Sequence, residues 1–155
     1  MIKILKKNFS IDEYYEKIKS NENGAISFFL GTVRQDLFDN ETNKIESIFL
    51  ECYRDLAIKQ LEQIRKEALK TWKLNNCLII HREGSINIGE KIVLVMTSSS
   101  HREDSIRSNE FIIDRLKVEA AFWKFKILKN QSKIIEQKEK DIEKSLKWSD
   151  IVNEE

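Results

Sequence analysis

The stretch RLKVEAAFWKFKILK, residues 115–129, changes its period half-way along. Up to Ala120 the apolar residues follow helical spacing. Ile106, Ile113, Leu116 and Ala120 fall on one face, which predicts a helix turning that face inward. From Trp123 the period is two. Trp123, Phe125 and Ile127 alternate with Lys124 and Lys126, which predicts a strand with aromatics on one side and lysines on the other. Lys117 therefore stands near the end of a helix and Lys124 just past the corner, with Phe122 and Trp123 between them and Glu119 as the balancing anion. Lysine stems over apolar surface account for a lone case. Two lysines beside two aromatics also suit one wall of an anion pocket, where partial desolvation fits a lysine for acid, base or nucleophile work.

The elements on either side follow from similar signals. Ile2 to Leu5 reads as a short strand. Ser10 and Glu13 form a capping box for a helix that ends before the Asn23-Gly24 turn signal. GAISFFLGTVR (24–34) reads as a buried strand, QDLFDNETNK (35–44) as a mobile loop, and IESIFLECY (45–53) as a second strand antiparallel to the first. Residues 54–74 form a helix with Ala57, Leu61, Ile64, Ala68 and Trp72 on one face. NCLIIHRE is a strand, GSINIGE a tight connection and KIVLVMTSS a strongly buried strand. Ser99 or Ser100 caps the next helix. From Ser132 to Trp148 the chain is charge-rich and helical, with Ile135, Ile142 and Leu146 as a thin stripe suited to docking on a partner or subunit. Together these elements predict one compact α+β domain over residues 1–155, a mixed or antiparallel sheet with packed helices, and a charge-rich helical tail over 132–155.

Composition narrows the class. The chain has 155 residues, 41% hydrophobic and 34% charged, with a net charge of +1. That is enough for a real core, and too balanced for a disordered chain or a nucleic-acid polyelectrolyte. No apolar run approaches the roughly 20 residues of a membrane helix. The basic start MIKILKKNFS lacks the long apolar run and cleavage site of a signal peptide, so a cytoplasmic location is expected. Cys52, Cys77, His81 and His101 are the only cysteines and histidines, and none has zinc-site spacing. Both thiols sit in apolar runs and read as buried and inert. Neither a metal nor a cofactor is expected.

Basic residues mark the element ends. Arg34 closes the first long strand. His101 and Arg102 follow SSS at a helix start, where backbone N–H groups, hydroxyls and cations together suit a phosphate. Lys117 and Lys124 flank the later corner. His81-Arg82 reads as structural, paired with Glu83 or Glu90. From the residues alone, the chain is a domain with a site for a small phosphorylated or otherwise anionic ligand.

GAISFFLGTVR, LECY before a long helix, IIHREGSINIGE, VLVMTSSSHRED and FIIDRLKVEAAFWK occur in the order and spacing of one family. Over about residues 24–148 the chain resembles the large, catalytic subunit of molybdopterin synthase. The resemblance implies an alpha/beta hammerhead-type fold with an added α+β subdomain. It implies a sulfurtransferase of molybdenum-cofactor biosynthesis, which converts cyclic pyranopterin monophosphate to molybdopterin by inserting the dithiolene sulfurs. Sulfur comes from a small ubiquitin-like sulfur-carrier subunit bearing a C-terminal thiocarboxylate. The assembly is a heterotetramer around a dimer of large subunits, with no nucleic-acid or membrane partner. By motif, Lys117 and Lys124 match the catalytic lysines and Arg34 the arginine after the first strand. His101 and Arg102 match a pair reaching the site from the other large subunit, and Phe29 and Ile113 line the pocket. Lys138 aligns with a tail arginine. Ala121 stands where the family commonly has proline, and Lys126 where a glutamate is usual. The alternative from the residues is a small RNA- or anion-binding module without catalysis, using Lys124, Lys126, Phe122 and Trp123.

Overall fold

The computed structural model describes residues 1–35, 45–128, 131–135 and 139–153. In chain order its elements are β1 (Ile2–Leu5), α1 (Ile11–Ile18), β2 (Ala25–Thr32), β3 (Ile45–Cys52), α2 (Arg54–Thr71), β4 (Asn76–Arg82), β5 (Gly84–Asn87), β6 (Lys91–Ser99), α3 (Arg102–Glu119), β7 (Phe122–Leu128), β8 (Gln131–Ile135), α4 (Glu139–Leu146) and α5 (Ser149–Asn153). Residues 36–44 of the expected loop, Lys138 and the Lys126 side chain lie outside what is described.

Among the described residues, two four-stranded sheets organise the fold, in the orders β1-β4-β6-β2 and β5-β3-β7-β8. In the first, β1 runs parallel to β4, and β6 is antiparallel to both β4 and β2. Strands β4 and β6 are covered on both faces, which is why they read as unbroken apolar runs. Cys77, Ile79, Val93 and Val95 face one way, onto Leu61, Ile64 and Ala68 of α2 and Phe111 and Ile112 of α3. Leu78, Ile80, Leu94 and Met96 face the other, onto Phe9, Tyr14 and Ile18 around α1. The second sheet is antiparallel throughout. Its inner face carries Ile48, Leu50 and Ile86, packed with Val33 from the end of β2.

Gly24 and Gly89 fit where no other residue would. A Cβ on Gly24 would lie 2.1 Å from the Ser100 carbonyl oxygen, and Gly89 holds φ +82 in the turn before β6.

Five expectations change. Strands β2 and β3 do not form an antiparallel pair: β2 is the edge strand beside β6 in the first sheet, and β3 lies between β5 and β7 in the second. GSINIGE is not only a connection, because Gly84–Asn87 pairs with β3 as β5. Residues 131–135 form a strand on the outer edge of β7 rather than the start of a helix; pairing of a β-branched stretch with an open edge outweighs the charge run. Strand β2 is half-buried, with Phe28 exposed, rather than buried. Along α3, Ile106 is 56% exposed while Ser105, Ser108 and Asn109 are buried. The sheet-facing side there is polar because it bonds the strands. Ser105 Oγ donates to the Thr97 carbonyl (3.0 Å), and Thr97 Oγ1 donates to the Ser105 carbonyl (2.7 Å). Asn109 Nδ2 donates to the Ser27 and Val95 carbonyls. Periodicity of apolar residues cannot detect such a face.

Candidate active site

The corner between α3 and β7 positions both lysines. Helix α3 ends with the Ala120 N–H donating to the Leu116 carbonyl, and Phe122 N–H donates to the Ala120 carbonyl (2.8 Å). Ala121, lacking the ring a proline would bring, has an N–H, and it donates to Gln60 Oε1 of α2 at 2.8 Å. The corner is thus tied to the neighbouring helix by a side chain.

Beyond it, Phe122 stacks on His81, with ring centroids 3.8 Å apart and 24° between planes. Lys124 is two residues on, so it shares the face of Phe122, opposite the buried Leu50 of β3. Trp123 points the other way and is exposed. With Glu51, Cys52, Tyr53 and Phe125 it lines a shallow groove of about 350 Å³ on the outer side of the sheet. The aromatic pair is therefore split: only Phe122 stands on the side of Lys124, and Trp123 faces away from it.

Lys117 lies in the last turn of α3 and is paired with Asp141 of α4, Nζ to Oδ1 3.5 Å. Glu119, the anion close by in sequence, is engaged by Arg115, which also reaches Glu67 (3.0 Å). One turn before Lys117, Ile113 is half-buried against the first core, as is Phe29 of β2, on which α3 packs. Arg34 follows Val33, whose N–H donates to the Glu90 carbonyl (2.9 Å) and whose carbonyl accepts from Gly89 N–H (2.7 Å). The turn before β6 thereby carries Arg34 at the rim of the cluster that underlies the Lys124 strand.

His81, Arg82 and Glu90 support this arrangement. Arg82 Nη1 donates to Glu90 Oε2 and to the Lys91 carbonyl, both at 3.1 Å. The Asn87 N–H and then Arg82 hold the Glu90 carboxyl below its usual range. His81 does not take either glutamate as its partner. Burial lowers its pKa to about 4, and the neutral ring bonds the Arg82 carbonyl through Nδ1. Burial raises both Cys52 and Cys77 to about 11, so neither is a thiolate at neutral pH. Among the described residues no group of His, Cys, Asp and Glu could hold a metal ion.

His101 and Arg102 stand apart from the lysines. His101 is the N-cap of α3 but makes no side-chain cap bond, and neither Ser99 nor Ser100 caps the helix. Ser99 Oγ accepts from the His101 N–H (3.2 Å) and donates to the Lys73 carbonyl (2.7 Å). Arg102 and Lys117 are fifteen residues apart on one helix, about 22 Å at 1.5 Å per residue. No side chain spans that gap, so within one chain the two groups cannot meet on one small ligand.

Residues 4–119 match the family model described as MoaE protein. The chain is 39% identical over 126 residues to the molybdopterin synthase catalytic subunit of Haemophilus ducreyi, covering 81% of each. The chain belongs to the MoaE family. The enzyme class expected from the sequence is that of these MoaE relatives. The α+β fold is shared as well. The crystal structure of molybdopterin synthase from Staphylococcus aureus superposes with a TM-score of 0.79 at 32% identity, over 86% of this chain and 95% of that one. A Helicobacter pylori complex of subunits 1 and 2 of molybdopterin-converting factor superposes at 0.74, over 88% of this chain and 91% of that one. At 22% identity that second likeness is one of fold. No helix among the described residues is long and apolar enough to cross a membrane.

Three contributors gave little sign of themselves in the sequence. Gln60 and Asp141 are ordinary polar residues of helical stretches. His81 stands next to Arg82 in sequence, and of the two it is Arg82 that takes the expected glutamate, Glu90. The only signal for Asp141 is its spacing with Ser145 and Trp148 on one side of the tail.

Proposed function

We propose that this MoaE chain is the catalytic subunit of a molybdopterin synthase, acting on cyclic pyranopterin monophosphate through Lys117 and Lys124. Residues 1–155 work as one such unit, in the cytoplasm, around a dimer of large subunits. A small ubiquitin-like carrier supplies sulfur as a C-terminal thiocarboxylate and completes a heterotetramer. The observation that carries this reading is the corner, with one lysine on each side of a bend tied down by Gln60 and floored by His81 and Phe122.

The chemistry suits that wall. Attack by a thiocarboxylate and opening of a cyclic phosphate both develop negative charge. Fixed ammonium groups stabilise that charge best where water is excluded, and a lysine also moves protons. Arg34 binds substrate anion from the rim, and Phe29 and Ile113 supply the apolar layer. Lys138 is a further anion contact. His101 and Arg102 join from the second copy, which accounts for their distance from the lysines of their own chain. The sulfur rides on the carrier, so the two neutral thiols of this chain have no part in its transfer. An RNA- or anion-binding module without catalysis has no support from the relatives, which are named as catalytic subunits.

The test is reconstitution of the chain with thiocarboxylated carrier and cyclic pyranopterin monophosphate. Wild type forms molybdopterin. Lys117→Ala lowers turnover by about 10²–10⁴-fold, the usual scale for losing an acid–base or charge-stabilising group, with the melting temperature retained. Full activity in Lys117→Ala would remove the lysine wall from the mechanism.

A further inference from the structure

We infer that Asp141 is a positioning residue for Lys117, so that the C-terminal helices complete the active site. This rests on the function proposed above and assigns a role there to a residue outside the motifs.

Helix α4 and the turn after it run antiparallel along α3, with their polar groups matched in order. Glu110 meets Lys147 at 2.8 Å. One turn on, buried Asp114 accepts from Trp148 Nε1 at 3.0 Å and lies 3.3 Å from Lys147 Nζ. A further turn on, Lys117 meets Asp141 at 3.5 Å. Asp141, Ser145 and Trp148 share one side of this segment, and their burial deepens from half-buried Asp141 to Trp148.

Trp148 is the fixed point. Its indole packs edge-on against both Trp72 and Phe111, in the core that holds α2 and α3 on the sheet. The Trp148–Asp114 bond fixes the register of the tail against α3, and that register puts the Asp141 carboxylate at the Lys117 ammonium. The nearer anion in sequence, Glu119, is taken by Arg115. Asp141 thus supplies a carboxylate that meets the Lys117 ammonium and limits where it can stand at the end of α3. Position matters here because small displacements of a reacting group cost large factors in rate.

The experiment is the same reconstitution, with Asp141→Asn, Asp141→Glu and Lys117→Ala beside wild type, each followed by turnover, KM for the pterin and thermal melting. Asp141→Asn lowers kcat about tenfold and leaves KM within about twofold, with an unchanged melting curve; Asp141→Glu restores most of the loss. If Asp141→Asn matches wild type while Lys117→Ala is inactive, Asp141 does not position the lysine and the proposed function stands. If Asp141→Asn melts earlier but turns over normally per folded molecule, the pair is structural only and the inference is overturned. If Lys117→Ala is fully active, the proposed function itself fails and this inference with it.

Discussion

The two ends of α3 are built from different materials. At the N-terminal end the helix lies on the sheet through hydroxyls and an amide: Ser105 exchanges hydrogen bonds with Thr97, and Asn109 reaches two strand carbonyls. At the C-terminal end it is held by ion pairs, a buried indole and one glutamine at the corner. The first end offers His101 and Arg102 to solvent. The second gathers Lys117, Asp141 and, past the corner, Lys124. The difference teaches that one helix serves two sites. Its start presents two cations outward, and its end carries the lysine to which the proposed function assigns the chemistry.

That division is broken or upheld most directly by complementation. Arg102→Ala and Lys117→Ala damage opposite ends, and each is expected to be nearly inactive alone. If each site joins the start of one helix to the end of another, a mixed dimer has one intact site and one doubly damaged site. Random exchange of equal amounts makes half the dimers mixed, so activity returns to about a quarter of wild type. Turnover measured after mixing and re-equilibrating the two variants decides it. No recovery, with exchange shown by differently tagged chains, would mean that the start of one helix and the end of the other do not combine in one site across the dimer.

The sequence disclosed these regions unequally. Strands β4 and β6 were plain because both faces are apolar, and α2 because its buried residues keep helical spacing. The polar underside of α3 was hidden, since Ile106 had the right spacing and the wrong direction. Strand β8 was hidden because its stability comes from pairing with β7, a distant edge that local propensity does not register. At the site, Lys117 and Lys124 could be placed on either side of a corner from periodicity alone. The partner of Lys117 could not. Glu119 was the obvious anion in sequence, yet Arg115 holds it, and Asp141 arrives only through the register that Trp148 sets. Contacts between segments far apart in the chain leave no periodic trace.

Acid should separate the ends next. The C-terminal corner rests on Phe122 and thus on His81, whose pKa burial lowers to about 4. The N-terminal end rests on hydroxyls and an amide, which do not titrate. In the unfolded chain a histidine titrates near 6.5. Between these values the unfolded state binds the proton and the native state does not. Stability is therefore fully present above about pH 6.5 and falls as pH drops toward 4, by up to about 3 kcal/mol from this residue. Urea unfolding of wild type and His81→Phe across that range isolates the contribution, because other groups are common to both. The wild-type curve should fall more steeply. Parallel curves would mean that His81 takes up its proton without disturbing the stack.

The smallest expected effect lies at Gln60, which bonds the corner at the C-terminal end. Its Oε1 accepts the Ala121 N–H at a position where the family commonly has proline, which has no N–H to give. The backbone already allows the ring on the preceding side: Ala120 has φ −77 and ψ 132, the extended conformation favoured before proline. Gln60→Ala should cost about 1 kcal/mol, the net worth of one partly buried hydrogen bond, and lower turnover slightly as the corner loosens. In an Ala121→Pro background the same substitution should cost almost nothing, because the donor is gone. The difference between the two costs is the coupling energy of the pair, read from denaturation curves of the four proteins. Equal costs in both backgrounds would show that Gln60 acts through packing on α2, and that the turn from α3 into β7 is fixed by the stack of Phe122 on His81 alone.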